Sequence, residues 1–447
     1  MIITNGVLVT WEQPNRILYG HAVRFIGNQI KEIAPQKDLL ALYPRDEVLD
    51  AAGQLVMPGN ICAHTHFYGA FARGLGIPGD APDAFPAILE KLWWSLDKSL
   101  SEEDVHYSAL VCLVDAIRHG TTTLIDHHAS PNAIDGSLDQ IATACIEAGL
   151  RASLCYEVTD RDGVERMKAG VEENLRWNSR VRTGNEDGLL SGLFGLHASL
   201  TLSEETLAYC RERAPHELGF HIHVAEHPVD EEDSLRKTGI RVVERLQRHE
   251  MLGDNSIVVH AVHINQHERE LLRDSKTWVT HQPRSNMNNA VGLPQVEAML
   301  SMGIPVCLGN DGFSNAMWSE WKVAYLAHKL INGDPRRMNG MDVVQMGVYN
   351  NAALCEKLFG RRIGVLEPGA QADIIFVDYH PYTEMTAGNL PWHILFGFHE
   401  SMVTTTMVAG KVLMLNRDLT MLDEELIAAR ARELSRKTWD RYQHMFA

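Results

Sequence analysis

The sequence is poor in the features that lead to a membrane, a disulfide scaffold or a nucleic acid. No segment offers the roughly 20 uninterrupted apolar residues that a membrane helix requires. No CxxC pair occurs, and the seven cysteines, Cys62, Cys112, Cys145, Cys155, Cys210, Cys307 and Cys355, are odd in number and scattered. That is the pattern of reduced thiols rather than of a disulfide framework. Basic residues form no concentrated run, and a formal net charge of -17 opposes binding to phosphate backbones or anionic lipid. The expected partners therefore include neither nucleic acid nor membrane. The N-terminal stretch MIITNGVLVTWEQ lacks a basic region followed by an apolar segment and a small-residue cleavage site. The expected location is the cytoplasm. Low-complexity segments are also missing.

What is present is a long, mixed chain with a sizeable core. Its 447 residues are 45% hydrophobic, enough for one large domain and a smaller one. Residues 2–56 read as short strands joined by Asn-Gly and Gly-Asn turns. From Pro58 to about residue 365, apolar runs alternate with helical patterns. One helix is plain in SLSEEDVHYSALVCLVDAIRHG. Ser101 is its N-cap, acids fill its first turn, Val105, Ala109, Cys112, Leu113 and Ala116 form its apolar stripe, and Gly120 stops it.

Eight short apolar strands follow one another as LVMPGNICAHTH, TTTLIDHH, RASLCYEV, SGLFGLHASLT, LGFHIHVAEH, SIVVHAVHI, TWVTHQPRSN and PVCLGNDGFSN. Most carry His, Asp or Glu at or just after the C-terminal end, where the active site of a (β/α)₈ barrel is assembled. The expected fold class is thus α/β, a (β/α)₈ TIM barrel over residues 58–364. The tail returns to strands in GVLEPGAQADIIFVDYH and TTMVAGKVLMLNRD and ends in a charged helix. Residues 1–57 and 365–420 are expected to pair into one small β-sandwich domain, with 421–447 as a C-terminal helix.

Histidine is abundant, with 22 in the chain. His64 and His66 stand one residue apart at a strand end, and alternate residues of a strand point to one side. Two imidazoles converging on one point suit a metal. Later strand ends supply candidate further ligands in His223, His260 and Asp311. Imidazole nitrogens with one carboxylate suit Zn²⁺ or a similar divalent ion.

The stretches VMPGNICAHTH, GTTTLIDHH, HIHVAEH, VVHAVH, HQPRSNM, LGNDGFSN and QADIIFVD together resemble the amidohydrolase superfamily, in its branch of cyclic-amidine deaminases and triazine chlorohydrolases. Within it the chain is most similar to the SsnA-type aminohydrolases, and the resemblance spans essentially the whole chain. It implies that His64, His66, His223 and Asp311 hold one catalytic metal, with Glu226 and His260 flanking the attacking water. The pattern of His followed three residues later by Glu selects His223 over His221, which is read as a barrel-interior histidine. Binuclear members carry a carboxylated lysine at the end of the fourth strand. Here SGLFGLHASLT holds His197 and no lysine, so one divalent metal per chain is expected, Zn²⁺ first, with Fe²⁺ or Mn²⁺ as the other options.

The implied reaction is metal-dependent hydrolytic deamination of a small nitrogen heterocycle of purine or pterin type, releasing ammonia. A metal can lower the pKa of water from 15.7 to about 7. Asp311 is the expected base, His260 the group that polarises the attacking oxygen, and Glu226 the acid that protonates a ring nitrogen and then the leaving amine. Ring opening of a cyclic amide or ureide, dehalogenation of a heterocycle and a catalytically lapsed barrel are the alternatives. Arg73 in FARGLG, Arg284 in HQPRSN, His197 at the fourth strand end and His128 are the candidate substrate contacts. Resemblance to deaminases of oxidised purines and pterins places His128 on a bicyclic ring. Trp93 and Trp94 offer stacking surface, although neighbouring residues of a helix diverge by ~100°. The expected partner is a small heterocyclic substrate, within a homo-oligomer.

Overall fold

The computed structural model describes residues 1–184 and 188–447. The chain is α/β. Eight of its parallel strands, referred to as first to eighth in chain order, are Asn60–Thr65, Thr121–Asp126, Arg151–Leu154, Phe194–Ala198, Phe220–Val224, Ile257–His260, Trp278–His281 and Val306–Leu308. The first three lie side by side in one sheet, with the short Leu190–Gly192 strand at its edge, and the fourth to eighth form a second sheet. Every pairing within these two sheets is parallel. The sheets also touch one another. Thr65 bridges Asp311 just past the eighth strand, and Val158, past the third, bridges Leu196 in the fourth. Ordinary backbone hydrogen bonds hold these edges, with the His66 N–H 3.1 Å from the Asp311 carbonyl oxygen and the Val158 N–H 3.2 Å from that of Gly195.

Parallel strands covered on both faces are expected as unbroken apolar and β-branched runs. Accordingly, all residues of Asn60–Thr65 and Thr121–Asp126 are buried. The helix Glu102–His119 between them opens with a capping box formed by Ser101 and Asp104 and closes on Gly120 at φ 71°. That left-handed cap favours glycine, and a Cβ at this position would also stand 3.1 Å from Val403 and 3.2 Å from Ile375.

Two of the expected strands are each divided. LVMPGNICAHTH breaks at Gly59, so that Leu55–Pro58 joins a sheet of the chain ends while Asn60–Thr65 enters the parallel sheet. Gly59 lies against Thr122, whose Cγ2 would be 2.2 Å from a Cβ. SGLFGLHASLT likewise divides into Leu190–Gly192 and Phe194–Ala198. The apolar run continues through both breaks, so periodicity does not mark them.

Strands from both chain ends share one seven-stranded sheet, in which Ile374–Val377 pairs antiparallel with Leu55–Pro58. A four-stranded sheet containing Ile2–Thr4 and His21–Ile26 lies beside it. Ile3, Val23 and Phe25 of the smaller sheet share one buried core with Leu8, Val56, Ile374 and Phe376 of the larger. Arg151, the first residue of the third parallel strand, fixes the two systems together. It is fully buried and donates to both carboxylate oxygens of Asp373, Nε to Oδ2 at 3.0 Å and Nη2 to Oδ1 at 3.2 Å. The C-terminal helix Glu424–His444 fastens the segment that follows the first parallel strand. Trp439 Nε1 donates to the Phe71 carbonyl at 2.7 Å, and the Tyr442 hydroxyl to that of Lys91 at 2.6 Å. No helix among the described residues is long and apolar enough to cross a membrane.

Candidate active site

The C-terminal ends of the first, fifth and eighth parallel strands bring His64, His66, His223 and Asp311 together. Their donor atoms all lie within 4.8 Å of one another. Strand alternation aims His64 and His66 to the same side, and His66 remains extended at φ -124°. Asp311 instead adopts φ 58° and His260 φ 71°. Such left-handed backbone in residues other than glycine costs of order 1–3 kcal/mol and gathers at functional sites. His66 Nε2 is 3.1 Å from Asp311 Oδ1, and His64 Nε2 is 3.5 Å from the same oxygen. The other oxygen, Oδ2, accepts from the Ser285 hydroxyl at 2.5 Å.

The hydrogen bonds of the rings show that this cluster fits a cation. His66 Nδ1 faces the His127 carbonyl at 2.6 Å, and His223 Nδ1 faces the His197 carbonyl at 2.9 Å. A carbonyl only accepts, so both Nδ1 atoms carry a proton, which leaves the Nε2 atoms as the donor positions toward the cluster. Burial pulls His66 down, but its contact with Asp311 outweighs this and raises it to about 9, so a cation binding here would displace a proton from its Nε2. The two Nε2 atoms face each other at 3.2 Å. Metal–nitrogen bonds of ~2.0 Å at tetrahedral angles set donor atoms ~3.3 Å apart. His64 Nε2 is buried without a hydrogen bond. Burial pulls His64 down to about 3 and His223 well below the usual imidazole range, keeping both neutral. Burial pushes the Asp311 carboxyl upward, but its His64 and His66 contacts outweigh this and hold it ionised. Three imidazole nitrogens and one carboxylate oxygen are thus ready for a divalent ion.

His221 lies deeper and is fully buried, with its Nε2 3.0 Å from His64 Nδ1. It supports a donor residue from behind. On the other side of the cluster, His260 Nε2 is 3.3 Å from Glu226 Oε2 and 3.9 Å from Asp311 Oδ2. Asn286 Nδ2 sits 3.0 Å from His260 Nδ1, which leaves the His260 proton on Nε2, facing both acids. Burial and the Asp311 charge hold the Glu226 carboxyl well above the usual carboxylate range.

These groups line a cavity whose far wall is aromatic, with Phe85, Trp93 and Trp94. Both tryptophans line it, Trp93 closing a π-helical turn and Trp94 opening the α-helix that follows. His197 also lines it, with Nδ1 2.6 Å from the Thr201 hydroxyl.

Three candidate substrate contacts lie elsewhere. Arg73 is exposed and lines a separate groove with Asp115 and Glu424. Arg284 is committed to the buried Glu320 and to the Ser314 carbonyl at 2.7 Å, bracing the loop that carries Asp311. His128 is fully buried and bonds Ser130 Oγ at 2.9 Å. It follows His127 on extended chain, so the two side chains take opposite sides. Glu157, past the third strand, was not among the candidates, yet it lines the cavity and is 3% exposed.

The profile of the Amidohydrolase family matches residues 55–413. The chain is 32% identical over 437 residues to a 5'-deoxyadenosine deaminase of Methanosarcina acetivorans, covering 97% of this chain and 96% of that one. It is 31% identical over 409 residues to a 5-methylthioadenosine/S-adenosylhomocysteine deaminase of Moorella thermoacetica, covering 90% and 91%. Among solved structures, an adenosine deaminase of Xanthomonas campestris with bound zinc shares the fold, with a TM-score of 0.84 at 23% identity over 99% of this chain and 98% of that one.

Proposed function

The chain belongs to the amidohydrolase family and is a hydrolase of carbon–nitrogen bonds, and from that premise we propose that it deaminates a nucleoside-type nitrogen heterocycle of the purine class, releasing ammonia. The observation that carries this reading is the row Glu226–His260–Asp311 beside the four-donor cluster, at 3.3 and 3.9 Å. An acid, a hydrogen-bond donor and a base stand within reach of one reacting atom. The relatives' names, 5'-deoxyadenosine deaminase and 5-methylthioadenosine/S-adenosylhomocysteine deaminase, support an adenine nucleoside as the substrate type.

His64, His66, His223 and Asp311 would hold one divalent ion, and the donor set favours Zn²⁺. Such an ion supplies Lewis acidity that brings the pKa of water near 7. The chain's own residues do the rest. Asp311, held ionised, takes a proton from the attacking water. His260 donates its Nε2 proton to the same oxygen and aligns it. Glu226, whose carboxyl is raised well above the usual range by burial and the Asp311 charge, delivers its proton to the ring nitrogen; recharged with the proton that Asp311 took from the water, it protonates the departing amine, and the hydroxyl proton left on the reacting carbon restores it. Trp93 and Trp94 offer flat apolar faces that exclude water from the ring.

The two parallel sheets are best read as one closed (β/α)₈ barrel over 58–364, a reading supported by the bridges between them. Residues 1–57 with 365–420 then form the composite β domain, and 421–447 the C-terminal helix.

The test is ammonia release from a panel of purine nucleosides, free purines, pterins, pyrimidines and triazines, using protein of measured metal content. The expected result is ammonia with the ring intact from an adenine nucleoside. A new carboxylate without ammonia would contradict deamination and point to amide ring opening.

A further inference from the structure

Several buried carboxylates of this protein accept backbone hydrogen bonds. Glu173 accepts the N–H groups of Gly136 at 3.1 Å and Leu138 at 3.0 Å. Asp230 accepts those of Leu200 at 2.7 Å and Ala225 at 2.8 Å. Glu320 holds the Arg284 N–H at 3.3 Å as well as its guanidinium. This is the usual condition of a buried acid, since an unpaired carboxylate is costly away from water.

Glu157 departs from that pattern. Among the described residues it accepts no backbone N–H, and its nearest polar neighbours stand off at 3.3 Å for His127 Nδ1, 3.5 Å for His197 Nε2 and 3.8 Å for Arg161 Nη2. Those neighbours are themselves anchored. His127 Nε2 faces the His221 carbonyl at 3.1 Å, His197 Nδ1 faces Thr201, and Arg161 donates to Asp97 at 2.9 Å while its guanidinium lies over the Trp94 ring. Arg161 is the fixed cation of the three, and none of them stands closer than 3.3 Å, so the carboxylate keeps lone pairs for a ligand. Asp97, on the same wall, has a buried Oδ1 with no partner. Both acids line the ligand space, and neither has a part in the proton transfers derived above.

We propose that Glu157 is a specificity-determining residue that accepts hydrogen bonds from N–H or O–H donors of the substrate remote from the reacting carbon. This rests on the reading of the cavity as a nucleoside-type deaminase site. The donors are either sugar hydroxyls or a ring N–H of an oxo-heterocycle, and both present the same chemistry to a carboxylate. A charge-assisted hydrogen bond to a buried group contributes about 10- to 100-fold in affinity.

The experiment compares the metal-loaded wild type with Glu157→Gln. Binding is read by equilibrium titration and thermal shift, and turnover by ammonia release. One arm sets adenosine against 2',3'-dideoxyadenosine, which lacks the 2'- and 3'-hydroxyls. The other sets guanine against N-methylguanines, which lack a ring N–H. In one arm the wild type should bind the donor-bearing ligand about 10- to 100-fold more tightly, and in Glu157→Gln that ratio should fall to near one with metal content unchanged. The arm that responds identifies the donor. Equal binding of parent and analogue by the wild type in both arms overturns the proposal, whether or not the variant folds. A ratio that survives in Glu157→Gln overturns it too. Because binding is read without turnover, discrimination without ammonia would refute the deaminase reading alone. Ammonia without discrimination would refute the role of Glu157 alone.

Discussion

At Asp311 the two carboxylate oxygens have different duties. Oδ1 faces His64 and His66, and Oδ2 faces Ser285 and His260. Asp311→Asn keeps the shape but removes both the charge and the proton acceptor. Turnover should fall by at least the ~10²–10⁴-fold that general acid–base groups contribute, with an unchanged circular dichroism spectrum; near-normal turnover would place the base elsewhere. For Glu226 the sign follows from its raised carboxyl. The acid works while protonated, so kcat should decline as pH rises through its pKa. Glu226→Gln should abolish that alkaline limb and lower kcat by about 10²–10⁴-fold, which a pH–rate profile reads directly. His64 and His66 were legible in the sequence because an HxH on a strand fixes where both rings point; His223 and Asp311 were strand-end candidates that the family resemblance singled out. Arg73, Arg284 and His128 were not, because their partners are set by tertiary structure. Arg284 chooses Glu320, 36 positions away, and His128 is buried against Ser130. Glu157 carries no spacing motif, only its place at a strand end.

At the scale of elements, the alternation of apolar strands and helices was readable because parallel strands buried on both faces leave unbroken apolar runs. The breaks at Gly59 and after Gly192 were hidden for the same reason. The Asp of QADIIFVD carried no visible purpose in the sequence, and its role appears only when Arg151 is found beside it. Removing Asp373 would strand a buried guanidinium. Asp373→Ala should therefore destabilise the fold by about 3–5 kcal/mol, measured by denaturant unfolding with the midpoint lowered. A loss within the ~0.5 kcal/mol of an ordinary surface change would show that the pair does not join the parallel strands to the sheet of the chain ends.

At the scale of the whole molecule, the four donors come from the ends of the first, fifth and eighth parallel strands, and so from both parallel sheets. An ion held there would tie the two sheets together. It binds the folded state and not the unfolded one, so its removal should lower Tm as well as activity. Thermal unfolding of chelator-treated protein, with and without added Zn²⁺, reads this; a Tm indifferent to the metal would contradict the link. The two-ended sheet of the chain termini was legible only as two β-rich ends, since their pairing is a long-range choice. The most direct measurement is ammonia release from adenine nucleosides by chelator-stripped protein, before and after addition of Zn²⁺. The stripped protein should release no ammonia, and recovery should saturate at one ion per chain. Undiminished ammonia release by the metal-free protein would contradict this.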